Sequence, residues 1–340
     1  MKHINIPVFI PHIGCPNDCI FCNQRIISGT LKFAEEDVIH IIDNAIATSE
    51  GAEREIAFFG GSFTGIDRDL MIRLLDIAEN YVKRGDAVGI RMSTRPDYID
   101  PEIVGILKRY TVSQVELGIQ SVSDRVLSLS QRGHTSADTF NAVKLLKNSG
   151  ISVVGQMMIG LPGSSPEDET DTARAICRCG CDGARIYPTI VFKGTKLDEM
   201  MKLREYEALS LDEAVERSAA ALDIFDRNGV TCLRIGLCDG ENLHSDETYA
   251  AGPNHPALGE LVSNKLFLSK IECEIQKYTE LGNSIEGKSV SVLCSPGSTS
   301  KVIGNRKRNL EFLIRVYKIF KLKTIENEEY LGYNIKVLFN

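Results

Sequence analysis

The sequence contains no tryptophan and no run approaching the roughly 18 uninterrupted apolar residues of a membrane span. Met1-Lys2-His3-Ile4-Asn5 leads straight into a strand pattern, without a hydrophobic leader or small-residue cleavage site, so no secretory signal is expected. Ten cysteines lack the spacing of a disulfide framework, which excludes a small stapled extracellular fold and fits a reducing cytoplasm. A basic surplus is missing too: at a formal net charge of −7 the chain is not coated in positive surface. Histidine is scarce, at six residues; His134, in Arg132-Gly133-His134-Thr135, is placed to reach a pocket rim and His255, in the Asn254-His255-Pro256 loop, to touch a substrate, but a lone histidine is more often structural. With 43% hydrophobic and 25% charged residues, the 340 positions suffice for one large or two modest globular domains.

What is present is concentrated. Cys15, Cys19 and Cys22 form C-x3-C-x2-C just after Ile6-Pro7-Val8-Phe9-Ile10-Pro11, which reads as a short buried strand. Thiolate is a soft ligand suited to iron–sulfur clusters, zinc or copper(I). A zinc site would pair two cysteines with a second pair or a histidine couple, yet no fourth cysteine follows before Cys177. Three close thiolates suit a cubane cluster with one iron free of protein, where a cofactor or substrate can bind. From the motif alone, zinc completed from afar and three metal-free thiols stay open.

Short apolar runs predict strands over 6–11, 55–60, 88–93, 113–119, 152–159 and 183–188. Their apolarity reads as parallel strands covered on both faces. Helical periodicity fills the gaps over 36–48, 69–83, 136–148 and 166–177, with Thr135 and Ser165 placed to start the last two. This order predicts an α/β fold, a partial (βα)6 TIM-like barrel. Functional residues of such barrels gather at the C-terminal strand ends. Glycine, proline and polar clusters fall there each time, at 15–22, 60–65, 93–97, 118–121, 156–163 and 185–189.

Beyond residue 195 the alternation stops. Helices over 211–227, 256–277 and 305–320, with strands over 230–237, 289–294, 321–325 and 333–339, predict a smaller α+β C-terminal region. The boundary is set near 228, giving a core of 1–228 and a C-terminal α+β domain of 229–340 with a basic helix. Residues 301–323 hold eight Lys or Arg against one Glu, so an acidic body carries a basic tail.

With Phe21 before its last cysteine, the motif resembles the signature of the radical S-adenosylmethionine (SAM) superfamily, over roughly residues 1–195. Phe59-Gly60-Gly61-Ser62-Phe63-Thr64, Ser93-Thr94-Arg95-Pro96-Asp97-Tyr98-Ile99 and Val115-Glu116-Leu117-Gly118-Ile119-Gln120-Ser121 resemble the catalytic subunit of Elongator, which modifies wobble uridines of tRNA. Arg132-Gly133-His134-Thr135, residues 157–163 and Ile186-Tyr187-Pro188-Thr189 with Lys193-Gly194-Thr195 extend that likeness. More distantly, the chain is similar to oxygen-independent coproporphyrinogen III oxidase.

These resemblances imply that Cys15, Cys19 and Cys22 hold a 4Fe-4S cluster whose open iron chelates SAM. Phe21 would lie beside adenine, and Gly60, Gly61 and the adjoining Ser62 would admit the methionyl amino group. Ser93, Gln120, Arg132 and Gln156 would line the cofactor pocket, with Arg132 as the carboxylate partner. Tyr187 would offer its backbone to adenine. The departures are informative. Ser93 and Gln156 stand where the porphyrinogen enzyme has carboxylates, and Phe9 replaces a tyrosine, so that oxidase activity is not expected. The chain is also too short for Elongator's acetyltransferase domain, so the complete tRNA reaction is not expected from it alone.

The activity implied is reductive cleavage of SAM at the cluster to a 5′-deoxyadenosyl radical that abstracts hydrogen from a substrate. A flavodoxin- or ferredoxin-type protein is implied as electron donor. The basic segment 301–323 makes tRNA or another RNA an expected partner. Val302-Ile303-Gly304 is reminiscent of a KH loop, but Lys307 replaces its second glycine. A small-molecule or peptide substrate, and a non-catalytic iron–sulfur protein, stay open as alternatives. Cys177, Cys179 and Cys181 would point about 200° apart on a helix, which argues against an auxiliary cluster unless the helix has already ended there. The expected location is cytoplasmic, without a membrane partner.

Overall fold

The computed structural model describes residues 3–10, 19–23, 33–237 and 247–340. Cys15 therefore lies outside the described residues, as does Cys238.

Seven parallel strands form the main sheet. They are β1 (His3–Phe9), β2 (Glu53–Phe59), β3 (Gly89–Thr94), β4 (Val112–Gln120), β5 (Ser152–Ile159), β6 (Gly183–Pro188) and β8 (Thr231–Ile235), in the order β1-β2-β3-β4-β5-β6-β8. The sheet curls into a half-barrel. Between the strands run α1 (Glu35–Ala47), α2 (Arg68–Lys83), α3 (Pro101–Leu107), α4 (Asp124–Leu129), α5 (Ser136–Asn148), α6 (Pro166–Arg178), α7 (Lys196–Lys202) and α8 (Leu211–Arg227). Expected and observed bounds coincide for β5, β6 and α8.

The six-strand expectation needs one addition. The strand read over 230–237 as part of the C-terminal region is β8, paired in parallel with β6. Helix α8 supplies the crossover that parallel pairing requires. The sequence hid this because Leu233 and Arg234 are exposed and the segment lacks the apolar signature of the other strands.

Helix starts follow their side chains. Thr135 with Asp138, Ser165 with Asp168, and Ser210 with Glu213 form reciprocal capping boxes. Each pair satisfies two backbone donors at a helix mouth. Pro7 lies within β1, at a sheet edge, where the ladder best tolerates a residue without an N–H.

The expectation of apolar residues on both sheet faces is corrected. Ile6, Val8, Ile56, Phe58, Ile90, Met92, Val115, Leu117, Val153, Met157 and Ile186 are buried in the main core with the helices. Alternate residues carry Asn5, Glu55, Arg91, Glu116, Gln156 and Arg185, which touch one another across adjacent strands and across strands two apart. One face is hydrocarbon; the concave one is charged.

The C-terminal part comprises β10 (Ser289–Cys294), β11 (Lys321–Glu326) and β12 (Lys336–Phe339) in the order β11-β10-β12, with α9 (Leu258–Glu280), α10 (Thr299–Ile303) and α11 (Arg308–Tyr317). A small antiparallel pair joins β7 (Val191–Phe192) to β9 (Tyr249–Ala251). Helix α9 serves both parts: Leu258, Val262 and Leu266 belong to the main core, whereas Phe267, Ile271 and Ile275 belong to the second. The basic helix expected over 305–320 is shorter, confined to α11, with a 3-10 turn at Asn305–Lys307 before it and Lys318 in the left-handed region after it. Gly304, Arg306 and Lys307 all have positive φ, so a tight turn separates α10 from α11.

Candidate functional site

The first two strands end against each other. Ile10 N donates to Phe59 O at 2.8 Å, and Gly60 then turns away with φ +99. A Cβ on Gly60 would stand 3.3 Å from Ile10 N and 3.4 Å from Phe9 Cδ1. Only glycine combines that conformation with that approach. Ser93 Oγ, at the end of β3, lies 3.5 Å from Gly61 O, and Ser62 is buried in the same turn.

Across the rim, Cys19 is 4% exposed and Cys22 is half-buried. Cys22 N donates to Cys19 O at 2.9 Å, which turns the segment between them. Ile20 anchors it: its N–H donates to Ser130 O at 3.3 Å and its carbonyl accepts from Leu197 N at 2.9 Å. Phe21 packs half-buried in the small cluster of Ile20, Val191 and Leu197.

Arg132 joins the two sides. Its Nη1 donates to Cys19 Sγ at 3.3 Å and its Nη2 to Gly118 O at 2.9 Å. A Cβ on Gly118 would come within 2.7 Å of Arg132 Nη2 and 3.1 Å of Gln120 Nε2, so these groups occupy one locus. Gln120 adopts φ 64, in the left-handed region, where the β4–β5 register shifts. That conformation costs a non-glycine residue of order 1–3 kcal/mol and concentrates at ligand-binding positions. Gln120 Oε1 and Arg132 Nε are buried without a hydrogen-bond partner among the described residues. Leaving such atoms unsatisfied is costly unless a ligand completes them.

Gln156 stands lower. Its Nε2 donates to Glu116 Oε2 at 2.8 Å. Glu116, 1% exposed, also receives Arg91 Nη2 at 3.1 Å and closes with Arg185 at 2.9 Å. Burial acts to lower the Arg185 pKa, but Tyr187 and Glu116 outweigh it and hold the guanidinium charged. The site thus unites Cys19, Gly118, Gln120 and Arg132 at the rim, with Gln156 and Tyr187 attached to a charged floor. Sequence reasoning missed Glu116, Arg91 and Arg185. Their signal was present: each lies two residues before a rim position on the same strand face, at Gly118, Ser93 and Tyr187.

Two further groups are settled by their surroundings. His134 is 3% exposed, with Nε2 3.2 Å from Ile119 O, and burial beside Arg132 pushes its pKa down to about 4. It braces the backbone before Gln120 as a neutral ring. Cys177 lies in α6, Cys179 caps it and Cys181 follows. Burial raises all three thiols, Cys181 to about 12. Among the described residues no group of three or more His, Cys, Asp or Glu could hold a metal ion.

An α/β half-barrel with a cysteine turn beside an arginine at its strand ends defines the class. A family profile described as the radical SAM superfamily matches residues 9–176, and one described as the radical SAM C-terminal domain matches 181–267. The chain belongs to the radical SAM superfamily and is an enzyme of it. It is 30% identical over 232 residues to a tRNA uridine(34) acetyltransferase of Methanocaldococcus jannaschii, covering 67% of this chain and 41% of the relative. It is 31% identical over 210 residues to Elongator complex protein 3 of Dictyostelium discoideum, covering 54% and 36%. Among solved structures, Elp3 of Methanocaldococcus infernus aligns with TM-score 0.63 at 25% identity, over 78% of this chain and 62% of that one. Coproporphyrinogen III oxidase of Escherichia coli shares the fold at TM-score 0.50 and 15% identity, over 78% and 58%. The chain therefore spans about two fifths of the two curated relatives.

The family implies a 4Fe-4S cluster and SAM. The residues fit them. Cys19 is a soft donor beside a guanidinium, while Gln120 Oε1 and Arg132 Nε are orphaned polar atoms at the same rim.

Proposed function

We propose that this protein is a radical SAM enzyme that modifies RNA, tRNA foremost, and takes its electron from a flavodoxin- or ferredoxin-type donor. The observation that carries the cofactor reading is the Arg132 bridge: one guanidinium contacts Cys19 and Gly118 and keeps Nε unsatisfied beside Gln120 Oε1. When bound, the cluster and SAM supply one-electron cleavage of the sulfonium and a radical that removes hydrogen from substrate. Cys19 and Cys22, with Cys15, would hold the metal. Arg132 would neutralise a carboxylate, the Gly60–Gly61 turn would admit the amino group, and Ser93, Gln120 and Gln156 would supply polar contacts. Phe21 and the Tyr187 backbone would flank adenine. The helices behind the sheet keep the convex side dry, so orientation is set from the concave side alone.

The tRNA reading is supported by the likeness to tRNA uridine(34) acetyltransferase and by the basic C-terminal segment. A small polar substrate is the second reading, favoured by the charged floor of Arg91, Glu116 and Arg185. Anaerobically reconstituted protein with dithionite and SAM should yield 5′-deoxyadenosine. Isotope from deuterated substrate should enter it when tRNA is the hydrogen source. Intact SAM beside a fully loaded cluster would sink the enzyme reading; cleavage without transfer from tRNA would sink the RNA reading alone.

A further inference from the structure

The positive charge of the C-terminal region does not all lie on its helices. In β10, Val290, Val292 and Cys294 pack with Val302, Leu313 and Ile319 in the second core. Strand alternation therefore turns Ser289, Ser291 and Leu293 to the opposite face. The register carries that face across the sheet: Lys321 pairs with Ser289, Lys323 with Ser291, and Lys336 with Leu293. All three lysines are exposed, as is Leu338 beside Ser291. Lys318 pairs with Glu286 at 3.3 Å, but Lys321, Lys323 and Lys336 have no carboxylate partner among the described residues. Phe320, 75% exposed, precedes Lys321, and its N–H donates to Lys288 O at 2.8 Å at the same end of the sheet.

We infer that this uncovered sheet face binds a single-stranded segment of RNA, with phosphates on Lys321, Lys323 and Lys336 and one base against Phe320. The inference rests on the RNA reading above and gives it a surface. Lys321 and Lys323 are two residues apart on one strand, about 6.6 Å, so an extended polyanion meets a cation at successive steps. Ser289 lies in the neighbouring strand opposite Lys321 and is partly exposed, whereas Ser291, 8% exposed with Asn340 Nδ2 3.4 Å from its Oγ, serves as a small spacer that leaves Lys323 standing clear. An exposed ring beside lysines is the arrangement that stacks unpaired bases. The face carries one sign of charge on a chain whose total is −7. By contrast α11 mixes Arg308 and Arg315 with Glu311 and with exposed Ile314 and Val316. That is a poorer track for a polyanion.

The test uses the full chain, a tRNA transcript and a twelve-nucleotide oligouridylate, with binding followed by anisotropy across salt concentrations. Lys321→Gln/Lys323→Gln/Lys336→Gln should flatten the slope of log K against log salt by about 2, at roughly 0.7 per phosphate contact for single strands. Phe320→Ala should weaken oligouridylate binding about tenfold and leave the slope unchanged. Circular dichroism of these surface variants should match the parent. If they bind like the parent while Arg306→Gln/Lys307→Gln/Arg308→Gln loses binding, the inference falls and the RNA reading stands. If the parent shows no salt-sensitive binding to either RNA, both fall. If the lysine substitutions instead abolish self-association in sedimentation without touching RNA affinity, the face pairs copies of the chain and the inference is overturned.

Discussion

Arg132 owes its position to what Gly118 lacks. Adding one methyl there would put carbon 2.7 Å from Arg132 Nη2 and push the guanidinium off Cys19. Gly118→Ala should therefore lower SAM cleavage by about 100-fold, the scale of an ångström's misplacement, while the thermal midpoint moves little. An unchanged turnover would show that the contact does not orient the cofactor. His134 gives a pH prediction. Its pKa falls from 6.5 to about 4 on folding, so the unfolded chain binds more protons between those values. Stability should then rise with pH across that window and be lost as pH falls from 6.5 toward 4, by up to about 3 kcal/mol. His134→Gln should flatten that dependence in urea titrations. The cysteine turn, Gly60 and the Arg132 phrase were legible because each residue type has one unusual use. Glu116 was not: a single glutamate in a strand says nothing until Arg91 arrives from the adjoining β3 and Arg185 from β6, two strands away.

Within single elements, sequence was most informative where periodicity and caps agreed. The apolar runs of β5 and β6 and the Ser210–Glu213 box of α8 define their own ends. It was least informative where a neighbour decides, as in β8 and in the turn at Gly304. There a Cβ would lie 2.8 Å from Asn309 Cγ, a constraint no local pattern announces. Glu116 links β3, β4, β5 and β6 through Arg91, Gln156 and Arg185. Removing it takes the carboxylate from half-buried Arg185 and leaves buried Arg91 with only Asn5 and the longer contact to Glu55. Glu116→Ala should cost roughly 3–5 kcal/mol in chemical denaturation, and Glu116→Gln distinctly less. A loss under 1 kcal/mol for the alanine variant would show that water replaces the carboxylate.

For the molecule as a whole, α9 crosses from one core into the other. The two parts should accordingly melt together, as a single calorimetric transition with matching calorimetric and van 't Hoff enthalpies. Two separate peaks would show that the helix breaks between Leu266 and Phe267. The acidic body and basic tail were readable from charge counts, but which lysines share a plane required the strand register. The main sheet stops at β1 on one side and β8 on the other, and among the described residues neither edge finds another partner. A sheet with two free edges has not closed on itself, so its charged concave face is shaped by seven strands and leaves the remaining arc of the wall to whatever lies between β1 and β8.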